Sequence, residues 1–325
     1  HNDQIGEFTD FSPNNNDGNA GGNSRARLYT TSNTINDLPV LYFDGVDDNY
    51  TLDDDNEINR QNYSQKYIFI AFRTSDNINS RQPIFFEGGG TRSVNCYIYN
   101  GRIYLVVYND ADDDGQGAWG IQNGNAVINV ASAPGDLAIN TNYFLALQFD
   151  VAQQKISLRL NGKEFALENA GIRNIYGHAV AKIGASSSPY YHDGNNGTAY
   201  FQGSIAEVIY YSNDILNDFR ISLVENYLAA KYDIDFFDAN DQLYAYESTP
   251  GHDMVGIGND INGNSHKDAQ GPAQVRIFNA DDLNTGEHLL IAHDNDTLAE
   301  VLTDTPGDIV YRMGRSWRVA ETGDV

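Results

Sequence analysis

Between residues 67 and 167 the chain runs in short apolar or alternating stretches, each bounded by Asn, Asp, Gly or Ser. Runs at 67–73, 83–87, 94–99, 102–108, 126–130, 143–149, 155–160 and 164–167 have strand length and strand character. Two connections, Asn100-Gly101 and Asn161-Gly162, are the dipeptide that tolerates positive φ at both central positions of a type I′ hairpin, so the strands they join are antiparallel. Further strands are predicted at 40–43, 181–183 and 199–211. Many short strands, hairpin turns and almost no helix predict a sandwich rather than a parallel sheet.

One stretch departs from this pattern. From Leu216, apolar residues recur at Phe219, Leu223, Val224, Tyr227 and Leu228, which is the helical period on one face. Asn217, Asp218, Arg220, Ser222, Glu225 and Asn226 fall on the other side. Asn217 is the expected N-cap, and Leu216 before it can staple against Ile221. After Tyr232 the strand pattern restarts at 254–257, 275–278, 289–292 and 316–319, which predicts a second β unit, with Trp317 in its core.

The segment GSIAEVIYYSNDILNDFRISLVENYLAAKYDI resembles the closing strand and terminal helix of bacterial laminin-G-like domains, members of the concanavalin A-like jelly-roll superfamily. DFSPNNNDGNA followed by LPVLYFDGVDDNYTL resembles the entry to the same family, and YFLALQFDVAQQKISLRLNGKEFAL one of its hairpins. HDMVGIGNDINGNSHKDAQG, EHLLIAHDND and RSWRVAETGDV are similar to the small β-domain that follows such domains in surface proteins of Bacteroidota-type bacteria. The resemblance implies an all-β chain: a concanavalin A-like jelly-roll sandwich with one C-terminal helix over 1–235, and a second, smaller β-domain over 236–325. These motifs are specific for architecture and weak for chemistry.

Composition narrows the partners. The 325 residues carry 45 Asp plus Glu against 20 Lys plus Arg, a formal charge of −25, which repels nucleic-acid phosphate and anionic membrane. A hydrophobic content of 41% is enough for two cores. The lone cysteine, Cys96, allows no internal disulfide, and no apolar run is long enough to span a bilayer. No signal peptide opens the chain, and it stops within a strand-like run, so it reads as a piece of a longer secreted or surface-exposed protein.

Two kinds of site stand out. In Asp110-Ala111-Asp112-Asp113-Asp114-Gly115, carboxylates alternate before a glycine, so Asp110, Asp112 and Asp114 are expected to bind calcium; the alternative is an acidic solvated hairpin. The twelfth position is Ile121 rather than a bidentate Glu, and a strand precedes the loop, so an EF-hand is excluded. Asp44, Asp47 and Asp48 form a second acidic cluster, read as a strand-ending turn.

For ligand contact, Trp119 and the group Tyr190, Tyr191, His192 and Asp193 place aromatics among polar loop residues, which is what binding a sugar ring requires; packing is the plainer reading of each. No pair of strand carboxylates suited to glycoside hydrolysis is apparent in the sequence; Glu207 is a single strand carboxylate rather than one of a spaced pair. The seven histidines are scattered without metal spacing, apart from His288 and His293, which flank an apolar strand. The expected function is non-catalytic binding or adhesion, a calcium-assisted recognition of polysaccharide or glycan. The alternatives are a module binding a surface peptide or protein, and a polysaccharide-degrading enzyme of the same fold.

Overall fold

The computed structural model describes residues 3–323 apart from 54–55, 111–116, 121–126, 178–179, 245–250, 271–274, 279, 295–299, 303–309 and 313–315. It comprises two compact units, His1–Ile215 and Leu216–Val325. The unit boundary falls twenty residues before the expected position, so the helix is grouped with the second unit.

The first unit is a jelly-roll sandwich. Among the described residues, one antiparallel sheet has eight strands, in the spatial order Glu7–Phe8, Gly18–Asn19, Tyr50–Leu52, Ala181–Ile183, Gln82–Gly88, Arg92–Tyr99, Arg102–Asn109 and Ile128–Ala131. The other has seven, in the order Lys163–Leu167, Lys155–Leu160, Asn142–Asp150, Gln65–Thr74, Gln202–Ser212, Val40–Asp44 and Arg27–Tyr29. The predicted hairpins form as expected: Asn100 and Gly101 have φ 48° and 68°, Asn161 and Gly162 have φ 46° and 82°, and the flanking residues pair directly.

Strand alternation sends one set of side chains between the sheets. From the eight-stranded sheet, Val94, Cys96, Ile98, Ile103, Leu105 and Val107 enter a core completed by Ile68, Ile70, Phe72, Leu145, Leu147 and Phe149 of the other. Burial pushes the Cys96 thiol up, which leaves it an inert core residue. The inner side also holds a charge pair. Lys66 Nζ, fully buried, lies 2.8 Å and 3.0 Å from the Glu87 carboxylate oxygens and donates to the Ile58 carbonyl at 3.0 Å and the Tyr210 hydroxyl at 2.6 Å. The pair joins the two sheets and places two ionic groups in the interior, where each depends on the other.

In the second unit the helix, Asp218–Tyr232, begins as predicted: the Asn217 side chain accepts from the Arg220 N–H at 2.9 Å. It packs on a four-stranded antiparallel sheet ordered Ser265–His266, His252–Asn259, His288–His293 and Trp317–Thr322. Gly256 and Gly258 allow that approach, because a Cβ at either would run into Leu223 or Phe219 of the helix. The burial pattern departs from the expected polar face, since Glu225 and Asn226 are buried while Leu223, Val224 and Tyr227 are half-buried. Asn226 is inside because its amide is saturated. It donates to the Ser222 and Asp241 carbonyls and accepts from the Leu243 and Tyr244 N–H groups. Trp317 is half-buried rather than core.

Candidate functional site

The outer side of the eight-stranded sheet is aromatic. Tyr97 and Tyr99 of one strand and Tyr104 and Tyr108 of the next project away from the core, and the hairpin register sets Tyr97 opposite Tyr104 and Tyr99 opposite Arg102. The rings of Tyr97 and Tyr104 stack at 5.3 Å with 11° between their planes. Onto this pad folds the 186–199 loop. Tyr191 meets Tyr97 edge-on at 4.9 Å, Tyr190 meets Tyr108 at 5.8 Å, and His192 lies flat on Tyr104 at 4.0 Å and 15°.

Two hydroxyls anchor the loop. The Tyr108 hydroxyl donates to the Gly89 carbonyl at 2.5 Å and accepts from the Tyr190 N–H at 3.0 Å. The Tyr97 hydroxyl accepts from the His192 N–H at 2.9 Å and lies 2.7 Å from His192 Nδ1. With the hydroxyl accepting from the backbone N–H, the tautomer that also gives its proton an acceptor has it donating to Nδ1, and the neutral imidazole then carries its own proton on Nε2. Burial lowers the His192 pKa, Asp193 opposes this, and Arg81 and Arg102 add to the lowering, so the ring is neutral at pH 7.

Three charged groups border the pad. Arg81 lies 4.3 Å from the Tyr99 ring centre and 4.8 Å from that of Tyr191, and is ion-paired with Asp193, which the Asn195 side chain and backbone also hold. Desolvation tends to raise the Asp193 pKa, but these hydrogen bonds and Arg81 bring it below the usual carboxylate range. Arg102 is fixed by its Nε–H, which donates to the Ser132 carbonyl at 2.6 Å, and its guanidinium lies 5.4 Å from the centre of the Tyr104 ring.

The predicted residues divide accordingly. His192 and Tyr190 are half-buried and Asp193 is exposed. Tyr191, expected among the exposed aromatics, is 2% exposed, with its hydroxyl donating to the Gly197 carbonyl at 2.8 Å; it packs the loop down. Trp119 is likewise not a surface ring. It pairs with Asn109 through backbone bonds of 2.8 Å and 2.6 Å, stacks on Phe149 and is 6% exposed, so its loop returns it to the sandwich core. Asp110 is exposed, just past its strand, and its N–H donates to the Thr91 carbonyl at 2.6 Å; Asp112 and Asp114 lie outside the described residues.

Asp44, Asp47 and Asp48 bring carboxylate oxygens within 4.8 Å of one another. Turn bonding explains the cluster: Asp44 accepts from the Val46 N–H and Asp48 from the Asp44 N–H. Burial, with Asp44 and Asp47 adding to it, pushes the Asp48 pKa up to about 6. In the second unit His293 Nε2 lies 2.8 Å from the carboxylate of Asp253, a residue held at φ 51° in a bulge, with His252 stacked above and Trp317 edge-on at 4.8 Å.

Sequence reading missed Arg81, Tyr99 and Arg102. For the last two a signal exists, because once Asn100-Gly101 is taken as a two-residue turn the register places them opposite each other on the outer side. Arg81 directly precedes the Gln82–Gly88 strand, whose Gln82 pairs with Ile98, so the same register carried one residue further brings it beside Tyr99; its own sequence neighbours do not mark it.

No family model and no curated protein matches this sequence. Solved structures with some likeness include the CBM40 module of the Ruminococcus gnavus IT-sialidase, bound to α2,6-sialyllactose, at 19% identity over 50% of this chain and 92% of that one, with a TM-score of 0.35. A Limulus polyphemus SAP-like pentraxin is similar at 12% identity over 52% of this chain and 72% of that one, with a TM-score of 0.37. Mouse laminin α1 domains LG4-5 are similar at 13% identity over 61% of this chain and 48% of that one, with a TM-score of 0.39. The jelly-roll assignment rests on the strand order and pairing of the chain itself.

Proposed function

We propose that this chain is a non-catalytic binding module of a secreted or cell-surface protein, and that it recognises carbohydrate on the outer side of the eight-stranded sheet. The observation that carries the reading is the combination at one place of half-buried Tyr99 and His192 rings with the hydrogen-bonding groups of Arg81, Arg102 and Asp193. An aromatic face covers the apolar side of a sugar ring, and fixed donors bond its hydroxyls. A rigid sheet carrying a loop clamped by side-chain bonds supplies such groups already ordered, which lowers the entropy cost of binding.

A non-catalytic role fits the buried carboxylates. Glu87 is committed to Lys66, and Asp150 accepts from the Tyr67 hydroxyl and the Gln153 N–H. Calcium remains part of the proposal at Asp110, Asp112 and Asp114, supported by their spacing alone. A glycan array read with and without calcium is the test. Binding to a defined set of glycans, weakened about tenfold or more in Tyr99→Ala with little change in melting temperature, supports the reading. Binding unaffected by that change, or binding to peptides only, sinks it; released reducing ends on a polysaccharide panel would make the chain an enzyme instead.

A further inference from the structure

The outer pad is short of acceptors. Arg102 spends its Nε–H on the Ser132 carbonyl, and among the described residues no carboxylate pairs with its remaining N–H groups, in a chain of net charge −25. His192 spends Nδ1 on the Tyr97 hydroxyl, which leaves Nε2–H as a second donor with no partner among the described residues. Both groups lie against the same Tyr104 ring, the imidazole at 4.0 Å and the guanidinium at 5.4 Å. Asp193, a carboxylate on this side, is already engaged by Arg81 and Asn195.

A neutral sugar presents hydroxyls that both donate and accept, so a surface with a surplus of fixed donors leaves part of their capacity unmatched. A carboxylate is acceptor-only, and a planar guanidinium meets it with two parallel N–H bonds. An arginine without a carboxylate partner among the described residues, in a chain where acidic residues outnumber basic ones, is the complement of an anionic ligand.

We infer that the pad selects acidic sugars: a uronate or other carboxylated residue whose carboxylate is held by the free N–H groups of Arg102 and by His192 Nε2–H, while its ring packs on the Tyr99 side. This rests on the outer pad being a carbohydrate site. The carboxylate sets preference and the aromatic packing sets general affinity, so the two are separable.

The test is an array that pairs uronate-bearing oligosaccharides with their methyl-esterified forms, which keep the ring and remove the charge, followed by titration of each pair. The expected result is at least about tenfold tighter binding of the acid form, weakening as salt is raised. Arg102→Gln should bring the pair to within about twofold by weakening the acid form far more than the ester, Arg102→Lys should keep part of the preference, and Tyr99→Ala should weaken acid and ester together. Equal binding of acid and ester, with both lost in Tyr99→Ala, would overturn the acidic preference and keep the site. Binding of esterified or neutral members only would likewise overturn the acidic preference and keep the site, and binding that neither Tyr99→Ala nor Arg102→Gln alters, or no saccharide binding at all, would overturn both.

Discussion

The two sides of the Arg92–Asn109 hairpin use the same two strands for opposite purposes. Inward, Val94, Cys96, Ile98, Ile103, Leu105 and Val107 are aliphatic or sulfur-bearing and almost wholly buried. Outward, Tyr97, Tyr99, Tyr104 and Tyr108 bury ring surface against a loop while two of their hydroxyls bond its backbone. The inner side stabilises by exclusion of water, and a side chain there is worth what it fills. The outer side holds a loop in one conformation and still presents polar groups, which is why tyrosine stands there rather than leucine.

That contrast can be broken from the inside first. Lys66→Met leaves Glu87 buried without its cation and should lower unfolding free energy by roughly 3 to 5 kcal/mol in chemical denaturation, while adding Glu87→Leu should recover much of the loss. A single-variant cost near zero would mean that water already reaches the pair.

Next come neighbours on one strand. Ile98→Ala should cost about 2 to 5 kcal/mol as a core truncation, and Tyr99→Ala, one residue along and half-buried, less than about 1 kcal/mol. Leu228→Ala, at a fully buried helix position in the second unit, belongs with Ile98. Equal costs at 98 and 99 would erase the distinction between the sides.

Tyr97→Phe removes only the hydroxyl that accepts from His192 N–H and donates to Nδ1, so about 1 kcal/mol is expected, together with faster amide exchange in the 190–195 loop. Unchanged exchange there would remove the hydroxyl as the loop's anchor.

The smallest effect is on pH. The folded His192 pKa lies below its ordinary 6.5, so the unfolded chain binds more protons in that window. The corresponding stability is complete above pH 6.5 and is lost as pH falls toward the folded pKa. Comparing the wild-type chain with His192→Gln from pH 7.5 to 5 should show a shallower acid decline in the variant, and parallel curves would deny the shift.

Much of this architecture can be read from the sequence because it rests on local rules. The Asn-Gly turns fix two hairpins, the 3.6-residue period and Asn217 fix the helix start, and strand length and alternation find the Lys155–Leu160 and Ala181–Ile183 strands to the residue. The site is less legible, for a physical reason. Tyr191 and Trp119 sit among polar residues in sequence, yet both chains fold back so that the rings become packing, a decision made by residues far along the chain such as Tyr97 and Phe149. Asn226 shows the same limit: its polarity suggested solvent, while partners at 241–244 make the interior its better environment.

The most direct test of the carbohydrate face is backbone amide chemical-shift mapping of the isotope-labelled chain during titration with the oligosaccharide that binds best on the array. The account predicts that the largest changes fall at Tyr99, Arg102 and residues 192–195, with the inner strand positions and the second unit unmoved. Changes centred on any other surface, or no saccharide binding at all, would contradict it.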